Sequence, residues 1–143
     1  MGFRLMNACV IAAVQALTGN RDWAPDEVVE QIQEHNGYPP QLMSQLGKYA
    51  PVRVWPDGTD ISADERGATI AHGREKKRLK GRDKVAVGYI TRGGKGSHME
   101  AVEARHLADV MQEHHIAYVV TVDEDRIDTF TCPRCIGECI HGF

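Results

Sequence analysis

Residues 7–19, NACVIAAVQALTG, are the stretch from which the fold is predicted. Its apolar side chains recur at helical spacing, at Cys9, Val10, Ala13, Val14 and Leu17. Asn7 can cap the start of this helix, and Gly19 can end it. Residues 1–19, MGFRLMNACVIAAVQALTG, carry an apolar stretch of signal-peptide length, but Asn7 and Gln15 interrupt it, and it lacks a basic region followed by a cleavage site. We therefore predict a buried core helix.

Two further helices are predicted after it, at 25–35 and from Pro40 to Gly47, where Gly47 is expected to end the third helix. Strand patterns follow at 52–55, 85–90 and 116–122. Residues 57–72 show no convincing periodicity. Because helices come first and strands later, the sequence predicts an α+β fold with N-terminal helices packed on an antiparallel β-sheet.

The chain has 143 residues, which is the size of one domain, and residues 131–143 are expected to form a cysteine-rich tail on it. Its net charge of -3 excludes a polyanion binder by bulk charge alone. No apolar run approaches the length of a membrane span, so no membrane partner is expected. One cysteine stands alone at position 9 and three crowd the tail, which is a poor disulfide framework and indicates a reducing, cytoplasmic compartment. The oligomeric state stays open.

The isolated cysteine and a distant histidine suggest nucleophilic chemistry. Cys9 lies in the first turn of the predicted helix, where the backbone dipoles favour a thiolate. His98 follows a glycine-rich turn and is the candidate base. The segment 99–112 is compatible with a β-hairpin, whose return strand would bring Asp109 beside His98, and also with a helix. In the hairpin arrangement His98 would accept the thiol proton and Asp109 would fix its tautomer.

Three successive stretches carry a resemblance to a known family. NACVIAAVQALTG, WAPDEVVEQIQEHNGY and PPQLMSQLGKYAPVRVW resemble the N-terminal half of small papain-like cysteine peptidases of phage, viral and bacterial type, and HMEAVEARHLADV resembles their histidine–acid hairpin. The resemblance implies a papain-like fold and hydrolysis of a peptide or isopeptide bond in a protein or peptide substrate, through a thioester at Cys9. It implies that His98 is the base, Asp109 the orienting acid and Asn7 an oxyanion-stabilising residue, with no cofactor needed for catalysis.

A competing interpretation uses His98 as a metal ligand. His98 and Glu100, followed by Cys132 and Cys135, resemble the H-x-E and C-x-x-C signature of zinc-dependent nucleobase deaminases. There the histidine and both cysteines would hold Zn²⁺, and Glu100 would move protons for a zinc-bound hydroxide.

A third interpretation assigns the tail a structural role. Two thiolates three positions apart can bind one tetrahedral zinc ion. The candidate ligands are Cys132, Cys135, Cys139 and His141. With this structural zinc the protein would be a non-catalytic interaction module.

Residues 73–84, GREKKRLKGRDK, contain seven basic and two acidic side chains. Such a run is typical of a solvated loop or helix face. It is also a candidate patch for an acidic or nucleic-acid partner, although it contains no aromatic residue that could stack on bases.

Overall fold

The structure is a computed structural model, which describes residues 9–35, 40–90 and 97–129. Three helices come first, α1 (Cys9–Thr18), α2 (Asp26–His35) and α3 (Pro40–Tyr49). Four strands follow, β1 (Val52–Trp55), β2 (Asp60–Asp64), β3 (Gly67–His72) and β4 (Glu75–Lys80). The last elements are β5 (Lys84–Ile90), β6 (Ser97–Glu103), a 3-10 turn at Ala104–His106, α4 (Leu107–Glu113), β7 (Ile116–Val122) and a 3-10 turn at Glu124–Thr129.

The strands of the described residues form two antiparallel sheets. The large sheet has four strands in the order β1-β7-β5-β6, and the small sheet has three in the order β2-β3-β4. All pairs in both sheets are antiparallel. The described chain is therefore α+β, with helices and antiparallel sheets, as the sequence predicts.

One core lies between the helical half and one face of the large sheet. From α1, Val10 and Val14 are fully buried there, and α1 packs against β5 and β6. The sheet contributes Ala86, Met99 and Val120 to the same core. The apolar periodicity of residues 9–18 is thus used to cover this face of the sheet.

The opposite face of the large sheet lies in a second core. Its large members from that sheet are Trp55, Val87 and Tyr89, and α4 adds Leu107. The small sheet closes this core with the apolar side chains of one of its faces, at Ala68, Ile70 and Leu79. The large sheet is consequently the middle of three layers, with α1–α3 on one side and the small sheet with α4 on the other.

Three expectations about local structure are wrong. The stretch 57–84, expected to be irregular with a solvated basic segment, forms the whole small sheet. Helix α3 continues through Gly47 to Tyr49, whose side chain packs against the core between the helices and the large sheet. The segment 99–112 is neither a hairpin nor one helix, since β6 ends at Glu103 and α4 follows. None of the helices formed by the described residues is long and apolar enough to span a membrane.

Candidate functional site

The predicted nucleophile Cys9 is the first residue of α1. Its side chain is half-buried, a free thiol that packs at the margin of the helical core. The neighbouring Val10 is completely buried, so the chain passes from partial exposure to the core within one residue. The predicted placement of Cys9 at a helix start is therefore what the structure has.

The predicted base His98 lies on the other side of the large sheet from α1. It pairs directly with Tyr89 across β5 and β6, while the adjacent Met99 pairs with Gly88. Successive side chains of a strand point to opposite faces. Met99 belongs to the core under α1, whereas Tyr89 belongs to the core under α4. The structure therefore does not bring the His98 ring to the thiol of Cys9.

His98 instead belongs to a small polar cluster under the end of α4. Its ring meets the ring of Tyr89 edge-on, with centroids 5.7 Å apart, and His114 stacks on Tyr89 at 3.9 Å. The Tyr89 hydroxyl donates to Glu100 Oε1 at 3.2 Å, and Glu100 Oε2 lies 3.9 Å from His98 Nε2. Within the described part of the chain, the carboxylate paired with His98 is thus Glu100, two residues along the same strand.

The predicted orienting acid, Asp109, is an exposed residue in the first turn of α4. It borders a surface depression together with Arg66, Arg105 and His106. Because residues 107–113 form a helix, no return strand carries Asp109 alongside β6. The histidine–acid hairpin expected from the sequence is therefore replaced by a strand followed by a helix.

The remaining predicted site residues lie outside the described part of the chain. These are Asn7 and the candidate metal ligands Cys132, Cys135, Cys139 and His141. Within residues 9–35, 40–90 and 97–129, no three histidine, cysteine, aspartate or glutamate side chains are grouped as a metal site would require. The structural zinc stays a prediction.

Of the four residues in the deaminase interpretation, the structure describes two. His98 and Glu100 share a face of β6, as two residues separated by one position on a strand must. Strand β7 ends at Val122, which pairs with Val52. His98 pairs with Tyr89, and Tyr89 pairs with Ile116 at the start of β7, so His98 lies near the opposite end of that strand. Cys132 and Cys135, the two predicted cysteine ligands, lie outside the described residues, so the deaminase stays a prediction.

The small sheet presents a separate candidate site, on the face turned away from the core. Strand β4 alternates between the two faces, and Lys76, Arg78 and Lys80 point outward and are exposed. We call these three residues the cationic row. Successive members are about 7 Å apart, because alternate residues of a strand are separated by two rises.

The middle of that outer face is nearly flat. Residues Ala71, Thr69 and Gly67 of β3 pair with the three cations in order, and all have small side chains or none. Beyond them, β2 places Asp60 and Asp64 at the far side of the face, with Ser62 between. The outer face is therefore striped, with cations on one edge strand, small residues in the centre and carboxylates on the other edge strand.

Other basic side chains nearby already have carboxylate partners. Arg53 pairs with Glu75, and its guanidinium stacks over Trp55 at 3.8 Å from the ring centroid. Lys77, which points inward from β4, lies 2.8 Å from Glu124 Oε2. Its hydrogen bond lowers the pKa of the Glu124 carboxyl. By contrast, none of the ion pairs among the described residues includes a member of the cationic row.

Sequence reasoning found the charge of residues 73–84 but not its arrangement. The signal that could have revealed the arrangement was the spacing of glycines at turns between short strands, namely Gly67, Gly73 and Gly81. Gly73 has a φ of 61°, as a two-residue hairpin turn requires. Read with these turns, the basic run becomes a strand with three cations on one face.

Comparison of the chain with models of known protein families, with characterised proteins and with solved structures finds no match in any of the three.

Proposed function

We propose that this protein is a binding module, which takes an acidic segment of a partner protein on the outer face of its small sheet. The observation that carries the proposal is the cationic row. Lys76, Arg78 and Lys80 are exposed, evenly spaced on one face, and unpaired with carboxylates among the described residues. Cations held in a regular array by a sheet attract an anionic partner at a lower entropic cost than cations on a mobile loop.

A protein segment fits this face better than a nucleic acid does. The outer face offers Thr69, Ala71 and Ser62 in place of aromatic rings, so bases would find no stacking platform. Asp60 and Asp64 lie two strands from the row and would repel a broad polyanion. The row is one strand wide, which matches an extended acidic peptide.

Fluorescence anisotropy of a labelled oligoglutamate peptide tests the proposal. We expect saturable binding at low salt that weakens as salt is added, because exposed charges are screened. Arg78→Glu should weaken binding about tenfold. Arg21→Glu makes the same charge change at an exposed residue of the helical half, and it should leave binding unchanged. Tighter binding of a single-stranded oligonucleotide, or equal losses in both variants, would overturn the proposal.

A second candidate function keeps the thiol chemistry predicted from the sequence. The observation that favours it is the half-exposed position of Cys9 at the start of a helix whose next residue is completely buried. Under this proposal the Cys9 thiol gives its proton to a base other than the His98 ring, and its sulfur attacks the acyl carbon of a peptide or isopeptide bond. The C–N bond breaks, the amine leaves with a proton, and water then hydrolyses the thioester to release the acid and restore the thiol.

Alkylation tests this second candidate. A nucleophilic Cys9 should react with iodoacetamide at mildly acidic pH faster in the folded protein than in the same protein unfolded in urea, as followed by mass spectrometry of the Cys9 peptide. A folded-state rate at or below the unfolded rate would reject the nucleophile.

A further inference from the structure

We propose that the acidic partner segment adds to the free edge of β4 as a fourth strand of the small sheet. This inference rests on the proposed binding of an acidic segment, and it specifies how that segment is held. Recognition by strand addition draws its affinity from main-chain hydrogen bonds and its selectivity from alternate side chains. Both elements are present along β4.

Among the residues that the structure describes, strand β4 has an unpaired side because it is the edge of the β2-β3-β4 sheet. In an antiparallel pair, alternate residues direct their backbone groups toward the neighbour and away from it. Lys80 shows which residues of β4 direct their backbone groups away from β3, because its N–H donates to the Asp83 carboxylate at 2.7 Å and not to β3. Lys76 and Arg78 are an even number of residues from Lys80, so their N–H and C=O groups also point to the free edge.

The two residues with outward backbone groups also carry two of the three cations. A residue added opposite Lys76 or Arg78 would exchange two hydrogen bonds with it and place its own side chain on the outer face. An acidic residue at that position would lie beside the cation. The arrangement therefore calls for carboxylates at alternate positions of the added strand.

There is space beside the edge for such a strand. A cleft of about 530 Å³ runs along β4 to the ends of β1 and β7. Arg53, stacked on Trp55, lines it, and Lys77 reaches across to the end of β7 through Glu124 and the carbonyl of Val122. The Asp83 carboxylate occupies the backbone N–H of Lys80 at the end of β4, which limits the addition to a short segment.

Charge decides against a second copy of the chain on this edge. Two β4 strands side by side would bring like charges together, and lysines on edge strands are a common protection against such pairing. The edge strand β2 of another copy carries Asp60 and Asp64, but β4-to-β2 pairing is head-to-tail and would link many copies into rings or open chains. A separate acidic peptide would pair with the edge without bringing like charges together and without linking copies of the chain to one another.

N-methylation of a peptide separates edge pairing from simple charge attraction. The probe is a heptapeptide of alternating threonine and glutamate, beginning and ending with threonine. In the added strand its glutamates face the cationic row, so their N–H groups point to β4 and those of the threonines point away. N-methylation of the glutamates should weaken binding at least tenfold, whereas N-methylation of the threonines should change it less than threefold. The charge is the same in both.

The outcomes distinguish this inference from the function on which it rests. Equal affinities of the two methylated peptides would overturn strand addition while leaving acidic binding in place. Failure of the unmodified peptide to bind would overturn both. Arg78→Glu should abolish the difference between the methylated peptides, and Arg82→Glu, in the turn after β4, should preserve it. A mass that rises with concentration in the protein alone would identify a second copy as the occupant and reject the peptide.

Discussion

Tyr89 and His98 face each other across β5 and β6, and this pairing places the His98 ring on the side of the large sheet opposite α1. The separation from Cys9 follows from it. Between the two side chains lies the sheet itself, with Met99 filling the α1 side of β6. The chemistry of the cysteine and that of the histidine are therefore separable by experiment.

The first prediction concerns that separation. His98→Asn should leave the pH profile of Cys9 alkylation unchanged, because the ring is on the other face of the sheet. Met99→Ala should instead accelerate alkylation, because it removes a fully buried side chain from the core that α1 covers. The rate is measured from the mass of the Cys9 peptide. A shift of the profile by about one pH unit in His98→Asn would mean that the imidazole does serve the thiol.

The second prediction concerns a buried hydrogen bond within the large sheet. Trp55 Nε1 donates to Thr121 Oγ1 at 2.9 Å, and both side chains are almost fully buried. Thr121→Val removes the acceptor and leaves the indole N–H unpaired. The free energy of unfolding in urea should fall by about 1 to 3 kcal/mol. Thr59→Val, at an exposed turn, should cost less than about 0.5 kcal/mol. Equal costs would contradict the assignment.

The third prediction concerns the central strand of the small sheet. Gly67 has a φ of 152°, and a Cβ there would overlap the Leu79 carbonyl of β4. Gly67→Ala should therefore destabilise the protein by about 3 kcal/mol or more. Gly58→Ala, also at positive φ but with open space around it, should cost about 1 kcal/mol. If thermal unfolding shows the same loss for both, β3 and β4 do not approach as closely as described.

The fourth prediction is a pH dependence of stability. The hydrogen bond from Lys77 holds the pKa of Glu124 below its ordinary value of 4.5. Such a carboxyl binds protons less readily in the folded than in the unfolded protein, so its contribution is complete above that value and is lost as the pH falls through the lower folded pKa. Glu124→Gln should remove this acid-sensitive part, about 0.5 kcal/mol for so exposed a pair.

Its control is the neighbouring exposed carboxylate. Asp125→Asn makes the same chemical change one residue along, and none of the described ion pairs contains Asp125. Urea unfolding at successive pH values should therefore retain the acid-sensitive part in Asp125→Asn. An unchanged slope in Glu124→Gln would show that the pair does not contribute.

Elements with a strong local pattern were predictable. The helix that Cys9 begins follows from apolar spacing, and the strands at 52–55, 85–90 and 116–122 follow from β-branched runs between turns. The small sheet was not predicted because it buries only one face, and alanine and lysine side chains separate the large apolar side chains on that face. Its large apolar residues, Ile61, Ile70 and Leu79, are nine residues apart along the chain and become neighbours only when the strands pair.

The sequence by itself determined the class of fold, the helical position of Cys9 and the concentration of positive charge at residues 73–84. These depend on local periodicity and composition. Only the tertiary structure decided which side of the sheet His98 occupies and which side chains of β4 share a face, because a shift of one residue in pairing moves every side chain of a strand to the other face. That register is set by the packing of Tyr89 and Met99 in opposite cores, which the spacing along the chain does not encode.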